Sequence, residues 1–268
     1  MQVAGHSCIY PFMATEIETK LIVLADDPES TMDEIACCQT LGGYRISPSG
    51  VRFFTDTYFD SQERSLTLRG IAVRTRESDG SVVFCIKEDE RIMEDGSAHR
   101  KELEMPWSEE CLEHASRIMN ADPAGTEDLS SGVDTPAASL AGIGLFPIQM
   151  RHTRRGTFDI SIPGVRKPLA ELAMDAVCYR ISDVGIFHYE VEVESKKPGF
   201  ESETVRFTDI LKASFPGRLM RWDHNKLITG MSMEQLLREG RISTVPGKVP
   251  CLSRSAYDVI DAFLRARI

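Results

Sequence analysis

The chain has 268 residues, of which 42% are hydrophobic and 27% are charged. This balance is typical of a globular protein with one large or two small domains, and it excludes a mostly disordered chain. With 31 basic and 41 acidic residues, the net charge is −10. Bulk charge therefore does not attract duplex nucleic acid or an anionic membrane, and any anion must be bound by positive charge gathered locally.

The cellular compartment is indicated by the N-terminus and by the cysteines. No apolar run approaches the roughly 20 residues that span a bilayer. Residues 1–13 read as a flexible tail without a secretory signal. The seven cysteines are irregularly spaced, which favours free thiols in a reducing compartment over a disulfide framework. We therefore expect a cytoplasmic protein that does not enter a membrane.

The first half of the chain reads as strands followed by a helix. Charged and apolar residues alternate in 15–24, the period of a strand, and a short helix with N-terminal caps is predicted over 30–41. A helix is also predicted over 108–120, and the Gly-, Ser-, Pro- and Asp-rich residues 121–147 are interpreted as a flexible loop insertion. The further strands predicted in this half span 51–59, 68–76, 82–87 and 100–105.

The second half repeats this plan. Strands are predicted over 148–160, 169–179 and 186–194, and a helix over 201–215. Two small terminal helices follow at 233–238 and 255–266. We therefore divide the chain into the tail, one β-rich domain over 14–230 that carries the loop insertion, and a C-terminal helical extension over 231–268.

Several strands carry charged residues two positions apart, which places them on one face. Any one such face can be the solvent side of an amphipathic strand. The same pattern in several strands favours the inside of a closed antiparallel barrel. Glutamates this close repel unless a divalent metal or arginine lies between them. Carboxylates bind Mg²⁺ or Mn²⁺, while arginine and lysine bind phosphate. The charged faces comprise Glu16, Glu18 and Lys20, then Arg74 and Arg76, then Arg100, Glu102 and Glu104, and finally Glu190, Glu192 and Glu194.

The order of these motifs resembles the CYTH superfamily, the triphosphate tunnel metalloenzymes, which include inorganic and thiamine triphosphatases. Glu16-x-Glu18-x-Lys20 is similar to the family's ExExK signature. Asn225-Lys226 is similar to its late SK or TK pair. The motifs between these two follow in the family's order at 56–60, 73–76, 84–87, 100–104, 155–158, 172–175 and 189–194.

The resemblance implies an α+β fold, an eight-stranded antiparallel β-barrel with helices packed outside, over 14–230. It also implies hydrolysis of a triphosphate compound with Mg²⁺ or Mn²⁺ as cofactor. Among the triphosphate compounds, we expect inorganic triphosphate to be the substrate. No P-loop motif GxxxxGK[ST] occurs in the chain, so a P-loop hydrolase is excluded.

The resemblance also assigns roles to individual residues. Glu18, Glu192 and Glu194 match the metal-carrying glutamates, with Glu16 as their partner. Glu16 or Glu18 would orient the attacking water, and Lys226 would complete the catalytic set. Glu102, Glu104 and Asp175 match inward acids that balance the arginines or bind a second metal. Glu190 lies on the same face as the metal-carrying glutamates and supports them. The cations expected to bind the phosphates are Lys20, Arg52, Arg74, Arg76, Lys87, Arg100, Arg155 and Lys226.

The sequence departs from the family pattern at two positions. Asn225 stands where serine or threonine is usual. Asp89 stands where relatives often have a second lysine, two residues after Lys87, and we expect it to weaken one phosphate contact. Strand alternation also places Arg151 on the same face as Arg155.

Other functions stay open at this point. A thiamine triphosphatase would need aromatic groups at the tunnel mouth, for which Trp107 and Trp222 are the candidates. An adenylate cyclase would need an adenine pocket. A non-catalytic polyphosphate or nucleotide sensor would have lost the metal-carrying glutamates, which this chain retains. We expect a small-molecule triphosphate as partner and no nucleic acid, in a monomer or a homodimer.

Overall fold

The computed structural model describes residues 13–24, 26–120, 135–165, 167–181, 184–245 and 249–266. The helices in chain order are α1 (Pro28–Ala36), α2 (Ser65–Leu68), α3 (Glu109–Met119), α4 (Pro136–Gly142), α5 (Glu201–Ser214), α6 (Lys226–Arg238) and α7 (Arg254–Arg265). The strands are β1 (Ala14–Val23), β2 (Thr40–Leu41), β3 (Tyr44–Asp60), β4 (Ala72–Ser78), β5 (Ser81–Ile92), β6 (Ala98–Pro106), β7 (Phe146–Ser161), β8 (Ala170–Ile181), β9 (Val184–Ser195), β10 (Leu219–Arg221), β11 (Thr244–Val245) and β12 (Cys251–Leu252).

Eight long strands form a closed antiparallel barrel in the order β1-β6-β5-β4-β3-β7-β8-β9, and β9 pairs back onto β1. The helices lie outside it. This confirms the predicted α+β barrel. None of the helices in the described part of the chain has the length and apolar character needed to span a bilayer.

Alternation along the strands separates the charged interior from an apolar exterior. On β1, Glu18 pairs with Glu194 of β9, while Leu21 faces outward and packs in an apolar cluster with Phe207 and Leu211 of α5. Because helices cover the apolar faces, the charged faces point into the barrel. The charge pattern of the sequence therefore marks the barrel interior rather than a solvent face.

The strand predicted to begin at Leu68 begins at Ala72 instead. Residues Ser65–Leu68 form the short helix α2. The carboxylate of Asp60 accepts hydrogen bonds from the backbone N–H groups of Leu66 and Thr67, at 2.9 Å each. This cap stabilises a helical turn where residue pattern alone indicates a strand.

Part of the segment predicted as a loop insertion is ordered structure. Residues 135–147 contain α4 and the start of β7. Leu140 and Leu145 are fully buried in a cluster with Phe84. Residues 121–134 and the tail 1–12 lie outside the described residues. The division of the chain at 230 stays a prediction, and α6 runs continuously across that position.

The first turn of helix α6 is bonded to the barrel strands β7 and β8. Its N-cap Asn225 accepts a hydrogen bond from the N–H of Ile228 at 3.1 Å. Gln149 of β7 donates to the carbonyl oxygen of Leu227 at 3.1 Å, and the hydroxyl of Tyr179 on β8 donates to that of Lys226 at 3.0 Å. These bonds hold the first turn of α6 against the barrel and direct Lys226 into it.

Gly230 permits this close approach. A Cβ atom there would lie 2.4 Å from the Gln149 amide nitrogen and 2.5 Å from the Tyr179 ring. Alanine normally stabilises a helix interior by about 1 kcal/mol over glycine. We expect Gly230→Ala to lower the free energy of unfolding instead, by about 1–3 kcal/mol, because the added methyl group would overpack the site. Urea unfolding measures this change. Arg238→Ala, at an exposed site of the same helix, is the control, and an unchanged or more stable Gly230→Ala would contradict the prediction.

Candidate active site

The barrel encloses a cavity of about 610 Å³ that is lined mainly by charged side chains. Of the predicted metal residues, Glu16, Glu192 and Glu194 line the cavity, and Glu18 is buried beside them. The structure thus brings the residues named from the sequence to one enclosed site. The cavity-lining cations include Lys20, Arg52, Arg74, Arg76, Lys87, Arg100, Arg155 and Lys226.

One side of the cavity has a surplus of positive charge around Asp56. Arg76 binds the Asp56 carboxylate through two nitrogens at 2.8 and 3.1 Å, and Arg151 binds it at 3.1 Å. Arg74 lies 3.6 Å away. Burial would raise the pKa of Asp56, but the three guanidinium groups lower it well below its usual value. A second carboxylate, Glu102, lies 3.8 Å from Arg74 but is shared with Lys87 at 3.0 Å. Asp56 and Glu102 together therefore leave a surplus of positive charge on this side, which attracts a further anion.

Two buried guanidinium nitrogens on this side have no hydrogen-bond partner among the described residues. They are Nε of Arg74 and Nη1 of Arg151. Buried polar groups are almost always paired, because leaving them unpaired costs free energy. Arg74 and Arg151 both line the cavity. Phosphate oxygens are suitable acceptors for guanidinium donors.

The opposite side is acidic and is formed by β1 and β9. Arg100 contacts Glu16 at 2.5 Å and Glu18 at 2.9 Å, and Lys87 contacts Glu16 at 2.7 Å. Burial alone would raise the pKa of Glu16, but the positive charges of Arg100 and Lys87 outweigh it and lower the pKa. At Glu18, burial and the neighbouring carboxylates of Glu192 and Glu16 outweigh the cations and raise the pKa.

Glu194 faces Glu18 across the β1–β9 pair. Its pKa is also raised, by burial and by the negative charges of Glu16 and Glu171. Its ion-pair partner Lys196, at 2.9 Å, is 39% exposed and is therefore free to move aside. Carboxylates whose ionised forms are disfavoured in this way gain from a bound cation. Glu18, Glu192 and Glu194 offer the carboxylate oxygens that Mg²⁺ and Mn²⁺ prefer. Among the described residues, however, these three do not form a group whose oxygens all lie within 4.8 Å of one another, so they would have to draw together to hold one ion.

A second carboxylate group is already neutralised by lysine. Oxygens of Asp175, Glu190 and Glu192 lie within 4.8 Å of one another. Lys226 contacts all three, with Nζ 2.6 Å from Glu192 and 3.2 Å from Asp175. Lys20 adds a contact to Glu192 at 3.4 Å. Of the predicted metal residues in the described chain, Glu192 belongs to this group, whereas Glu16, Glu18 and Glu194 do not.

Asp89 does not face the charged cavity, contrary to the expectation that it weakens a phosphate contact. A bulge in β5 between Glu88 and Arg91 turns Asp89 outward, where it pairs with Lys101 at 2.5 Å. The same bulge directs Glu90 inward. Glu90 accepts hydrogen bonds from Arg100 at 3.2 Å and from the Asn225 amide at 2.7 Å. Because the bulge interrupts the regular alternation of β5, a lysine two residues beyond Lys87 would also point away from the cavity.

The aromatic residues proposed for a thiamine site lie elsewhere. Trp222 is buried and donates a hydrogen bond to Thr229 at 3.0 Å, and Trp107 packs on Phe84. The aromatic side chains that line the cavity are Phe54 and Tyr58. The guanidinium of Arg76 stacks on Phe54, with its Cζ 3.8 Å from the ring centroid.

Comparison with solved structures finds similar proteins at low sequence identity. HpAC1 from Hippeastrum, a putative adenylyl cyclase with a dominant triphosphatase activity, has a TM-score of 0.50 and 15% identity over 84% of this chain and 96% of its own. The protein PH1819 from Pyrococcus horikoshii has a TM-score of 0.45 and 15% identity, over 83% and 99% of the two chains. The RNA triphosphatase Pct1 of S. pombe has a TM-score of 0.35 and 14% identity, over 76% and 84%.

No curated protein matches the chain significantly in sequence. The sequence profile of the CYTH domain matches residues 14–214, which include all eight barrel strands and most of the charged cavity lining. The match covers well over half of the chain. The chain therefore belongs to the CYTH family.

Proposed function

We propose that this chain is a metal-dependent triphosphatase that releases phosphate from a small triphosphate held inside the barrel, with inorganic triphosphate favoured. The observation that carries the proposal is the division of one enclosed cavity into two sides. Arg74, Arg76 and Arg151 share the carboxylate of Asp56 on the basic side. Glu18 and Glu194, with their raised pKa values, lie on the acidic side. A polyanion that carries a divalent cation complements both sides at once.

The basic side would bind and neutralise the phosphate chain. Charge on a triphosphate repels an attacking nucleophile, and the transition state loads charge onto the equatorial and leaving oxygens. Arg74 and Arg76 are placed to accept that charge in a site of low solvent access, where electrostatic stabilisation is strong. Arg155 lies near them and binds Asp175 at 2.6 Å and Glu192 at 2.7 Å, which links the two sides.

The acidic side would hold Mg²⁺ or Mn²⁺ through Glu18, Glu192 and Glu194, with Glu16 beside them. The bound cation would supply further neutralisation of phosphate oxygens and a site for water. Among the two candidate water-orienting residues, Glu18 fits better than Glu16. Arg100 and Lys87 hold Glu16 at 2.5 and 2.7 Å, and its pKa is lowered. Arg100 and Lys20 contact Glu18 at the longer distances of 2.9 and 3.5 Å. The raised pKa of Glu18 suits a group that must accept a proton.

The reaction would be a direct displacement. The water oxygen forms a bond to the terminal phosphorus while the bond from phosphorus to the bridging oxygen breaks. The water proton passes to Glu18, and inorganic triphosphate gives pyrophosphate and phosphate. Lys226 would hold phosphate oxygens from the first turn of α6.

Phosphate release from inorganic triphosphate, thiamine triphosphate, ATP and pyrophosphate, each with Mg²⁺ or Mn²⁺, tests the proposal. We expect turnover of a triphosphate and loss of that turnover in Glu192→Gln. Ca²⁺, which is larger and less demanding in geometry, is expected to support binding without turnover. Binding of triphosphate with no release from any of these compounds would overturn the hydrolase and favour a sensor.

Metal affinity should depend on pH in a direction set by Glu18 and Glu194. Both pKa values are raised above 4.5, so these groups take up protons at a higher pH than free glutamate does. Protons compete with the metal for the same oxygens. We therefore expect Mg²⁺ affinity, measured by calorimetry, to fall as the pH is lowered, and the decline to begin at a higher pH than for glutamates with unshifted pKa values. Glu194→Gln should bind more weakly and show a shallower decline, and a pH-independent affinity would contradict the assignment.

A further inference from the structure

Four side chains form a continuous line of contacts from helix α7 to the cavity. The hydroxyl of Tyr257 on α7 lies 2.8 Å from Nδ1 of His188 on β9. Nε2 of His188 lies 2.9 Å from Oε2 of Glu190. The other oxygen of Glu190 contacts the ammonium group of Lys226. The line therefore ends on a cation that lines the cavity.

The direction of each hydrogen bond follows from the chemistry of the groups. Oε1 of Glu190 faces the ammonium group of Lys226, and Oε2 faces Nε2 of His188. A carboxylate paired with a lysine ammonium group can only accept hydrogen bonds, so the proton of a neutral His188 lies on Nε2. Nδ1 is then the acceptor, and the Tyr257 hydroxyl donates to it. One tautomer of His188 satisfies both partners.

The line is rigid because its members are buried. His188 is fully buried, and Glu190 and Tyr257 are nearly so. Tyr257 also packs edge-on against Trp222, in the apolar cluster that joins α6 and α7 to the barrel. Tyr257 lies beyond residues 14–214, which match the family profile. Helix α7 is thus linked to the charged interior through the hydroxyl of Tyr257.

We propose that Tyr257 is a positioning residue that fixes Lys226 for phosphate binding by way of His188 and Glu190. The inference rests on the proposed function, since it names what holds one of the phosphate-binding cations. Lys226 contacts three carboxylates, and its position depends on where each of them lies. Asp175 and Glu192 are also bound by Arg155. In the described part of the chain, the hydrogen-bond partner of Glu190 besides Lys226 is His188.

Loss of the Tyr257 hydroxyl has a defined consequence. Nδ1 of His188 would be left buried without a partner, a condition that costs free energy. The imidazole ring would also lose one of its two anchors, so Nε2 would no longer be held toward Glu190. Glu190 would then be fixed less firmly, and Lys226 would spread over several positions. Triphosphate binding would then lose an oriented cation without loss of any residue that contacts the ligand.

A double-mutant cycle on tripolyphosphate affinity tests this coupling. Calorimetry in the presence of EDTA measures binding without turnover. We expect Tyr257→Phe to weaken binding about tenfold in the wild-type background, the loss typical of one buried hydrogen bond. In a Lys226→Met background, we expect Tyr257→Phe to cause no further loss. Tyr189→Phe is the matched control, because that hydroxyl belongs to the neighbouring residue on β9 and bonds Glu29 outside the barrel.

The outcomes separate this inference from the proposed function. Equal losses from Tyr257→Phe in both backgrounds would mean general loosening and would overturn the inference alone. Absence of tripolyphosphate binding by the wild-type chain would overturn the proposed function. The ¹⁵N chemical shifts of His188 in the unmodified protein give a test that needs no variant. We expect the proton on Nε2, and a proton on Nδ1 of a neutral ring would contradict the line of bonds.

Discussion

Metal-dependent phosphate release is expected to fall at least about 10³-fold when Glu18→Gln and Glu194→Gln are combined. These two carboxylates face each other across β1 and β9, and burial and neighbouring acids raise the pKa of each. Glutamine keeps their size but removes the charge that would hold a divalent cation. Each single variant should lose about 10²–10³ in turnover.

Binding measurements separate this effect from unfolding. We expect the double variant to keep its affinity for tripolyphosphate in EDTA, because the arginines of the basic side are intact, while its Mg²⁺ affinity falls. Glu113→Gln, at an exposed site on α3, is the control for removal of one surface charge. Near-wild-type turnover in the double variant, with metal dependence unchanged, would show that these glutamates do not carry the metal.

Asp56→Ala is expected to have the largest effect on stability. The substitution leaves Arg74, Arg76 and Arg151 together without their shared carboxylate. Breaking a buried ion pair in this way typically costs about 3–5 kcal/mol. For a chain of this size the corresponding fall in Tm is about 6–20 °C. Thermal unfolding measures it, and tripolyphosphate should restore more of the Tm in Asp56→Ala than it adds to the wild type, because it supplies the missing negative charge.

The stability contributed by Asp56 also has a predictable pH dependence. Its pKa in the folded chain is lowered below the ordinary 3.8, so the contribution is fully present above pH 3.8 and is lost as the pH falls below it. The difference in unfolding free energy between wild type and Asp56→Ala should therefore be constant near neutral pH and shrink in acid. A difference that grew as the pH fell would contradict the ion-pair assignment.

The strand period was enough to predict which side chains enter the barrel. Glu16, Glu18 and Lys20 alternate with apolar residues, and the structure places all three inside. In the sequence, Asp56 stands out only as part of the motif at 56–60. Its role as the common partner of three arginines depends on the pairing of β3 with both β4 and β7. Such pairing joins residues about a hundred positions apart, which one sequence cannot specify.

Local irregularity accounts for other differences. The period of two predicts Asp89 inside the barrel, whereas the bulge in β5 directs Glu90 inward. The composition of 121–147 indicates a loop, yet Leu140 and Leu145 supply buried contacts that stabilise α4 and the start of β7. The link from Tyr257 to Glu190 had no sequence signal, because it depends on how α7 packs against β9.

Anomalous diffraction from Mn²⁺ in crystals grown with tripolyphosphate tests the division of the cavity most directly. We expect the manganese peak beside the carboxylates of Glu18, Glu192 and Glu194, with phosphate density extending toward Arg74 and Arg76. A peak at the group of Asp175, Glu190 and Glu192, with Lys226 displaced, would contradict the proposed metal site. Phosphate density outside the barrel would contradict the triphosphate tunnel itself.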